Sequence, residues 1–174
     1  YAEDCAYSVA VDGLKLVGKQ GGYVSFEDST FTNPTESDAV AFAPGFKTAY
    51  WWYLKSANDC TANCQFASKR PDLRESDNSI EKQLERYVDA KFRDCINKFE
   101  PFVEQGFAVT EKSAPKTNVV IAADDIKVLV DYPVNAKIQD SESEISKFLV
   151  TIPLDLDNIY NLATNITNME IKYH

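Results

Sequence analysis

The chain has 174 residues, a net charge of −9 from 27 acidic and 18 basic residues, and 44% apolar residues. That length suits one domain of residues 1–174 with a real core, and the acidic balance opposes binding to nucleic acid or to anionic membranes. No apolar run approaches the ~18 residues of a membrane span, and the opening YAEDCAYSV has neither the basic nor the long apolar part of a signal peptide.

Residues 3–17 predict a first helix, with Glu3 and Asp4 at its start and Lys15 near its end, as the helix dipole favours. Ala6, Val9, Gly13, Leu14 and Val17 form its apolar face, and Gly18 is placed to end it in a left-handed conformation. Gln20-Gly21-Gly22 then reads as a turn and Tyr23 to Phe26 as a short strand.

Residues 27–78 read as a loop-rich insertion, crowded with Ser, Thr, Asn, Asp and Pro. Inside it Pro44-Gly45 separates two β-prone runs, predicting a hairpin of 39–43 with 46–54.

The clearest element is the stretch Ser79 to Glu100, a helix about 33 Å long at 1.5 Å per residue. Ile80, Leu84, Tyr87, Val88, Cys95, Ile96 and Phe99 recur at helical spacing, with Phe92 widening the stripe. Asn78 with Glu81 suggests a capping box, and Pro101 a stop.

Strands are predicted at 106–112 and 117–123, with Asp124-Asp125 as a turn. Ile126, Val128, Val130 and Tyr132 share one face of the next strand, which Pro133 ends, bends or moves to a sheet edge. Beyond a polar loop at 140–144, Phe148, Val150, Ile152 and Leu154 share another face. A last helix opens near Asp155 with Leu156, Ile159, Ala163 and Ile166 directed inward. The fold class is therefore α+β: an antiparallel β-meander packed against a long helix, with N- and C-terminal helices and the loop/hairpin insertion.

Four cysteines admit three pairings. The favoured scheme joins Cys5 to Cys95, tying the first helix to the long one, and Cys60 to Cys64 inside the insertion. Zinc is the rival, but Cys5 and Cys95 have no near partner in sequence, so no metal is expected.

Tyr50-Trp51-Trp52-Tyr53 is the most unusual local feature. Two of the four fill the core on one reading; on the other, two face outward and stack on sugar rings or meet a partner protein. Asp124-Asp125 and Asp155-Leu156-Asp157 fit a turn and a helix start better than an EF-hand loop. The only histidine is the last residue, His174, so Ser/His/Asp and Cys/His nucleophilic machinery is not expected. A hydrolase using acidic residues is the weakest reading, without a supporting histidine or metal cluster, and no catalytic residue is assigned. No glycine-rich phosphate loop and no cofactor motif is present. Asn165-Ile166-Thr167 is a formal glycosylation acceptor at Asn165.

The chain resembles a family of uncharacterised archaeal cell-surface proteins. The likeness lies in the Cys5 helix running into Leu14–Tyr23, in Leu84–Val88 with Cys95 and Phe102–Phe107, and in Val119–Pro133 leading to Phe148–Pro153. In that family the domain follows an N-terminal hydrophobic helix like the class III signal segment of archaeal type IV pilins. No such segment stands in this sequence, and membrane contact is expected only through one. The resemblance implies an extracellular or cell-surface place and supports the Cys5–Cys95 pair. It implies no known activity. Together with the cysteines and the acidic surface it leads to the expectation of a non-enzymatic structural subunit whose partners are further copies or other surface proteins. The alternative is an adhesin that binds a glycan or a partner protein through Tyr50-Trp51-Trp52-Tyr53.

Overall fold

A computed structural model describes residues 1–26, 39–43, 46–57 and 59–173. The loop expected at 27–38, the Pro44-Gly45 turn and His174 lie outside the described residues. The chain is α+β and forms two compact units, Tyr1–Gly13 with Leu84–Leu156, and Leu14–Gln83 with Asp157–His174.

The first unit is built on one sheet. Its strands are β5 (Ala108–Glu111), β6 (Lys116–Ile121), β7 (Ile126–Ile138) and β8 (Ser141–Ile152). Here β7 is central: β8 pairs along one side of it, while β6 and β5 share the other, opposite its first and second halves. All pairs are antiparallel, and β6-β7-β8 is the expected meander.

Helix α2 (Ile80–Ile96) covers the first half of this sheet with Leu84, Val88, Phe92 and Ile96, all buried. Phe92 meets Tyr132 edge-on at 5.6 Å between ring centroids and Phe148 at 6.2 Å. Two carboxylates of α2 also grip the edge strand, where Asp89 Oδ1 accepts the Thr117 N–H at 2.7 Å and Glu85 Oε1 the Val119 N–H at 3.1 Å. Helix α1 (Ala2–Lys19) approaches α2 closely at Gly13, where a Cβ would sit 2.9 Å from the Tyr87 ring.

Several expectations are corrected here. Ser79 caps α2 rather than Asn78, its Oγ accepting the Lys82 N–H at 3.3 Å. Nor does Pro101 end the helix. Asn97, Lys98 and Phe99 turn the chain through left-handed φ angles of 44°, 52° and 56°, and Pro101 opens the short helix α3 (Glu100–Val103). Pro133 neither ends β7 nor moves it to an edge. The steps from Asp131 to Val134 lie opposite the shorter run from Lys147 to Ile145, a bulge that accommodates a residue without an N–H in a central strand. The polar stretch 140–144 is no loop, because β8 starts at Ser141 directly after a turn at Gln139 and Asp140.

In the second unit α1 runs on through Gly18 to Lys19, and the reversal falls at Gly21 (φ 67°) and Gly22 (φ 98°). A Cβ on Gly22 would lie 2.4 Å from Pro71, so only glycine fits this close approach. Tyr23 to Phe26 is not a strand. Glutamine side chains take the place of a ladder: Gln83 Oε1 accepts the Val24 N–H at 3.0 Å, and Gln20 Nε2 donates to the Val24 carbonyl at 2.8 Å. Both glutamines are buried, which apolar periodicity does not foresee.

The predicted hairpin forms between β1 (Ala39–Ala43) and β2 (Phe46–Ala49), but its second strand stops there. The chain bends at Trp51 and Trp52, then pairs β3 (Tyr53–Leu54) with β4 (Phe66–Ala67). Helix α4 (Leu156–Tyr173) completes the unit.

Candidate functional site

The first unit carries an open apolar groove that follows from a mismatch of lengths. The 13 residues of β7 span about 43 Å at ~3.3 Å each, whereas the 17 residues of α2 reach about 26 Å. The helix therefore runs out before the sheet does, and beyond Val134, which is still buried, the inner face is only partly covered.

Val134, Ala136 and Ile138 of β7 make the floor, with Ser141, Ser143 and Ile145 opposite them on β8. Val109 of β5, the register partner of Ala136, extends it. The left-handed turn after α2 supplies the walls, directing Phe99 and Phe102 to the groove, with Phe107 and Tyr1 beside Phe102. Phe99 stacks on Tyr132 at 6.3 Å and is buried, so this wall is anchored in the core. The groove encloses about 490 Å³, within the ordinary range for a binding cleft. Its one charged lining residue is Glu142, whose carboxylate accepts the Asn135 side-chain amide. Such a lining suits an uncharged apolar occupant.

Helix α4 carries the other apolar surface. Trp51 packs on Tyr160 at 5.3 Å between centroids, and Arg70 lies 5.5 Å over the same ring. Tyr160 also donates to the Pro71 carbonyl at 2.9 Å, and Arg74 pairs with Asp157 at 2.7 Å in the first turn. These contacts fix α4 by its Tyr160, Ala163, Thr164 and Thr167 face, so of the residues expected inward Leu156 and Ala163 are half-buried whereas Ile159 and Ile166 are not. Ile159 and Ile166 point outward with Leu162 and Met169, at 54%, 50%, 62% and 61% exposure. Aromatic and hydroxyl side chains hold the inner side, and the aliphatic stripe more than a third of a turn away is left in solvent.

The aromatic quartet divides unevenly. Trp51 is half-buried, its Nε1 donating to the Gly21 carbonyl at 2.9 Å, while Tyr50 and Trp52 are exposed and Tyr53 is half-buried. The cause is the bend, not the strand alternation expected from sequence.

Both expected disulfides are formed, Cys5–Cys95 within the first unit and Cys60–Cys64 within the second. They mark a chain suited to an oxidising, non-cytosolic environment. Asp124 and Asp125 occupy the β6–β7 turn, and Asp155 and Asp157 flank the start of α4. Asn165 is exposed in the middle of α4, on the same side as the aliphatic stripe. Among the described residues no group of three or more His, Cys, Asp or Glu side chains is placed to hold a metal, and no helix is long and apolar enough to cross a membrane.

Burial also shapes the titrating groups. Tyr132 is enclosed beside the Arg93–Glu111 ion pair, and burial, reinforced by Glu111, pushes its hydroxyl up to about 12. Tyr23 is likewise pushed up to about 12 by burial and then by Asp72, and donates to the Lys69 carbonyl at 2.8 Å. Burial raises the Asp89 carboxyl, with Glu85 adding to it, while the Thr117 hydrogen bonds oppose the shift. None of these groups lines the groove.

No family model matches the chain, and no curated protein or solved structure proves similar to it.

Proposed function

We infer that this chain is a non-enzymatic extracellular domain of an archaeal surface or pilin-like protein, a structural subunit of a cell-surface appendage or envelope assembly. The observation that carries this reading is the apolar groove beyond the Pro133 bulge, with its single charged lining residue. Exposed apolar ground of that kind is costly in water and useful at a contact with another protein. Two disulfides suit such a place outside the cell, and the resemblance to archaeal surface proteins agrees with it.

Negative-stain images of native material test the reading. Ordered filaments or sheets that incorporate the chain are the expected result, and monodisperse particles under all conditions would overturn it.

A second reading, an adhesin or binding module for a glycan or partner protein, is favoured by one observation, the exposed pair Tyr50 and Trp52. Aromatic rings stack on sugar faces at low entropic cost. Under this reading Trp52→Ala abolishes binding to cell-surface sugars and spares assembly. Under the first, the same substitution leaves sugar binding, if any, unchanged.

A further inference from the structure

Two apolar surfaces among the described residues, the groove and the outer face of α4, suit each other. We propose that they form one intermolecular contact, in which the outer face of α4 from one copy lies in the groove of the next. This rests on the assembly reading above and names the partner of the groove.

The stripe on α4 is the first argument. Ile159, Leu162, Ile166 and Met169 fall at i, i+3, i+7 and i+10, the anchor spacing of a helix that docks in an apolar groove. The helix is already formed and held from behind by Trp51, Arg70 and Arg74, so docking has little chain to order.

The groove offers the matching shape. Aromatic walls at Phe99, Phe102 and Phe107 rise beside a floor kept low by Ala136, Ser141 and Ser143. Branched aliphatic side chains on a ridge fill such a trough, whereas a flat partner would leave it empty.

Charge is the third argument, and it points to a second copy. A chain of net charge −9 repels its own copies, so self-contact is least opposed where the charge is absent. Between Asn158 and Met169 there is no charged residue, and the groove has only Glu142. Asn158, Asn161, Asn165 and Asn168 line one flank of the stripe, with amides suited to the polar groups of Ser141, Glu142 and Ser143 on the β8 side of the groove.

One contact of this kind covers both exposed surfaces, whereas pairing two stripes would leave two grooves bare. Stripe and groove are different patches, so the contact is heterologous. Each copy keeps one of each to offer, and growth continues as a chain or closes as a ring. A single helix face makes a small interface, below about 1,200 Å², so association is weak and concentration-dependent.

Analytical ultracentrifugation of the oxidised chain over a concentration series up to about 1 mM (near the −4 kcal/mol limit of weak binding) tests this with two variants. Leu162→Asp breaks the stripe and Val109→Lys breaks the groove; circular dichroism and the melting temperature establish that each is folded, with Ile166→Asp and Phe107→Ser as replacements for either that is not. The wild type is expected to grow in mass with concentration and each variant to stay monomeric. A mixture of the two is expected to form a dimer that grows no further, because only one intact stripe and one intact groove are present. A groove variant that self-associates while the stripe variant does not shows stripe-to-stripe pairing and overturns the proposal, as does a wild type that stays monomeric throughout. If the native material forms filaments in either case, the assembly reading survives alone; if it forms none, both fall.

Discussion

The two halves of one sheet make the most instructive comparison in this molecule. On the near side of the Pro133 bulge, β7 is buried under α2, with Ile126, Val128, Val130 and Tyr132 all but inaccessible. Beyond the bulge Val134 is still buried at the floor of the groove, while Ala136 and Ile138 are only half-buried in it. The inner face of β7 is apolar in both halves; what differs is the reach of the helix and the polar start of β8. Cover decides whether an apolar face becomes core or open groove.

That comparison can be tested by substitutions of falling effect. Phe92→Ala, in the covered half, should cost about 3–5 kcal/mol, since it removes a fully buried ring packed on Tyr132 and Phe148. Denaturant titration measures this, and a loss under about 1 kcal/mol would mean that α2 does not seal that half.

Breaking the Cys5–Cys95 bond with the double substitution Cys5→Ser and Cys95→Ser should cost about 2–4 kcal/mol, because the bridged residues are 90 apart. The corresponding change at Cys60 and Cys64, only 4 apart, should cost much less, and equal losses would show that chain entropy is not the cause.

Alkaline pH offers a milder probe. The Tyr23 and Tyr132 hydroxyls have folded pKa values of about 12, raised above the ~10 of an unfolded tyrosine. Their contribution is therefore complete below about pH 10 and is lost as pH climbs from there towards 12. Tyr132→Phe should flatten this loss in a melting-temperature series against pH, and an unchanged alkaline limb would show that Tyr132 ionises freely.

The smallest effect is expected in the open half, where Val109→Ser should change stability by roughly 0.5 kcal/mol or less. A loss as large as that of Phe92→Ala would mean that the groove is closed core.

The covered half was legible in the sequence because its signals are periodic. Leu84, Val88 and Ile96 recur at helical spacing, and Ile126 to Tyr132 alternate, so both buried faces could be read directly. The disulfide scheme was legible too, through the helix that each of Cys5 and Cys95 occupies. The open half was not, because Ser141–Ser146 is polar and the bulge breaks the alternation between Ile145 and Phe148. The face of α4 was misread for a related reason: its aliphatic stripe has the stronger pattern, yet Trp51, Arg70 and Arg74 hold the opposite side. Specific polar contacts outweighed hydropathy there, and no periodicity reports them. The outward Trp52 likewise depends on a bend that strand alternation does not encode.

The extra residue in β7 also has a genetic consequence. Strand β8 turns even-numbered side chains inward from Phe148 to Ile152, but Ile145, Ser143 and Ser141 line the groove, so the bulge works as a phase shift between two registers of alternation. Deleting the Pro133 codon would not merely shorten the strand. It would restore regular pairing and rotate everything downstream by half a turn, sending Val134, Ala136 and Ile138 to the outer surface. Asn135 and Lys137 would take their places. A one-residue deletion would thus invert the chemistry of the groove without substituting a single amino acid.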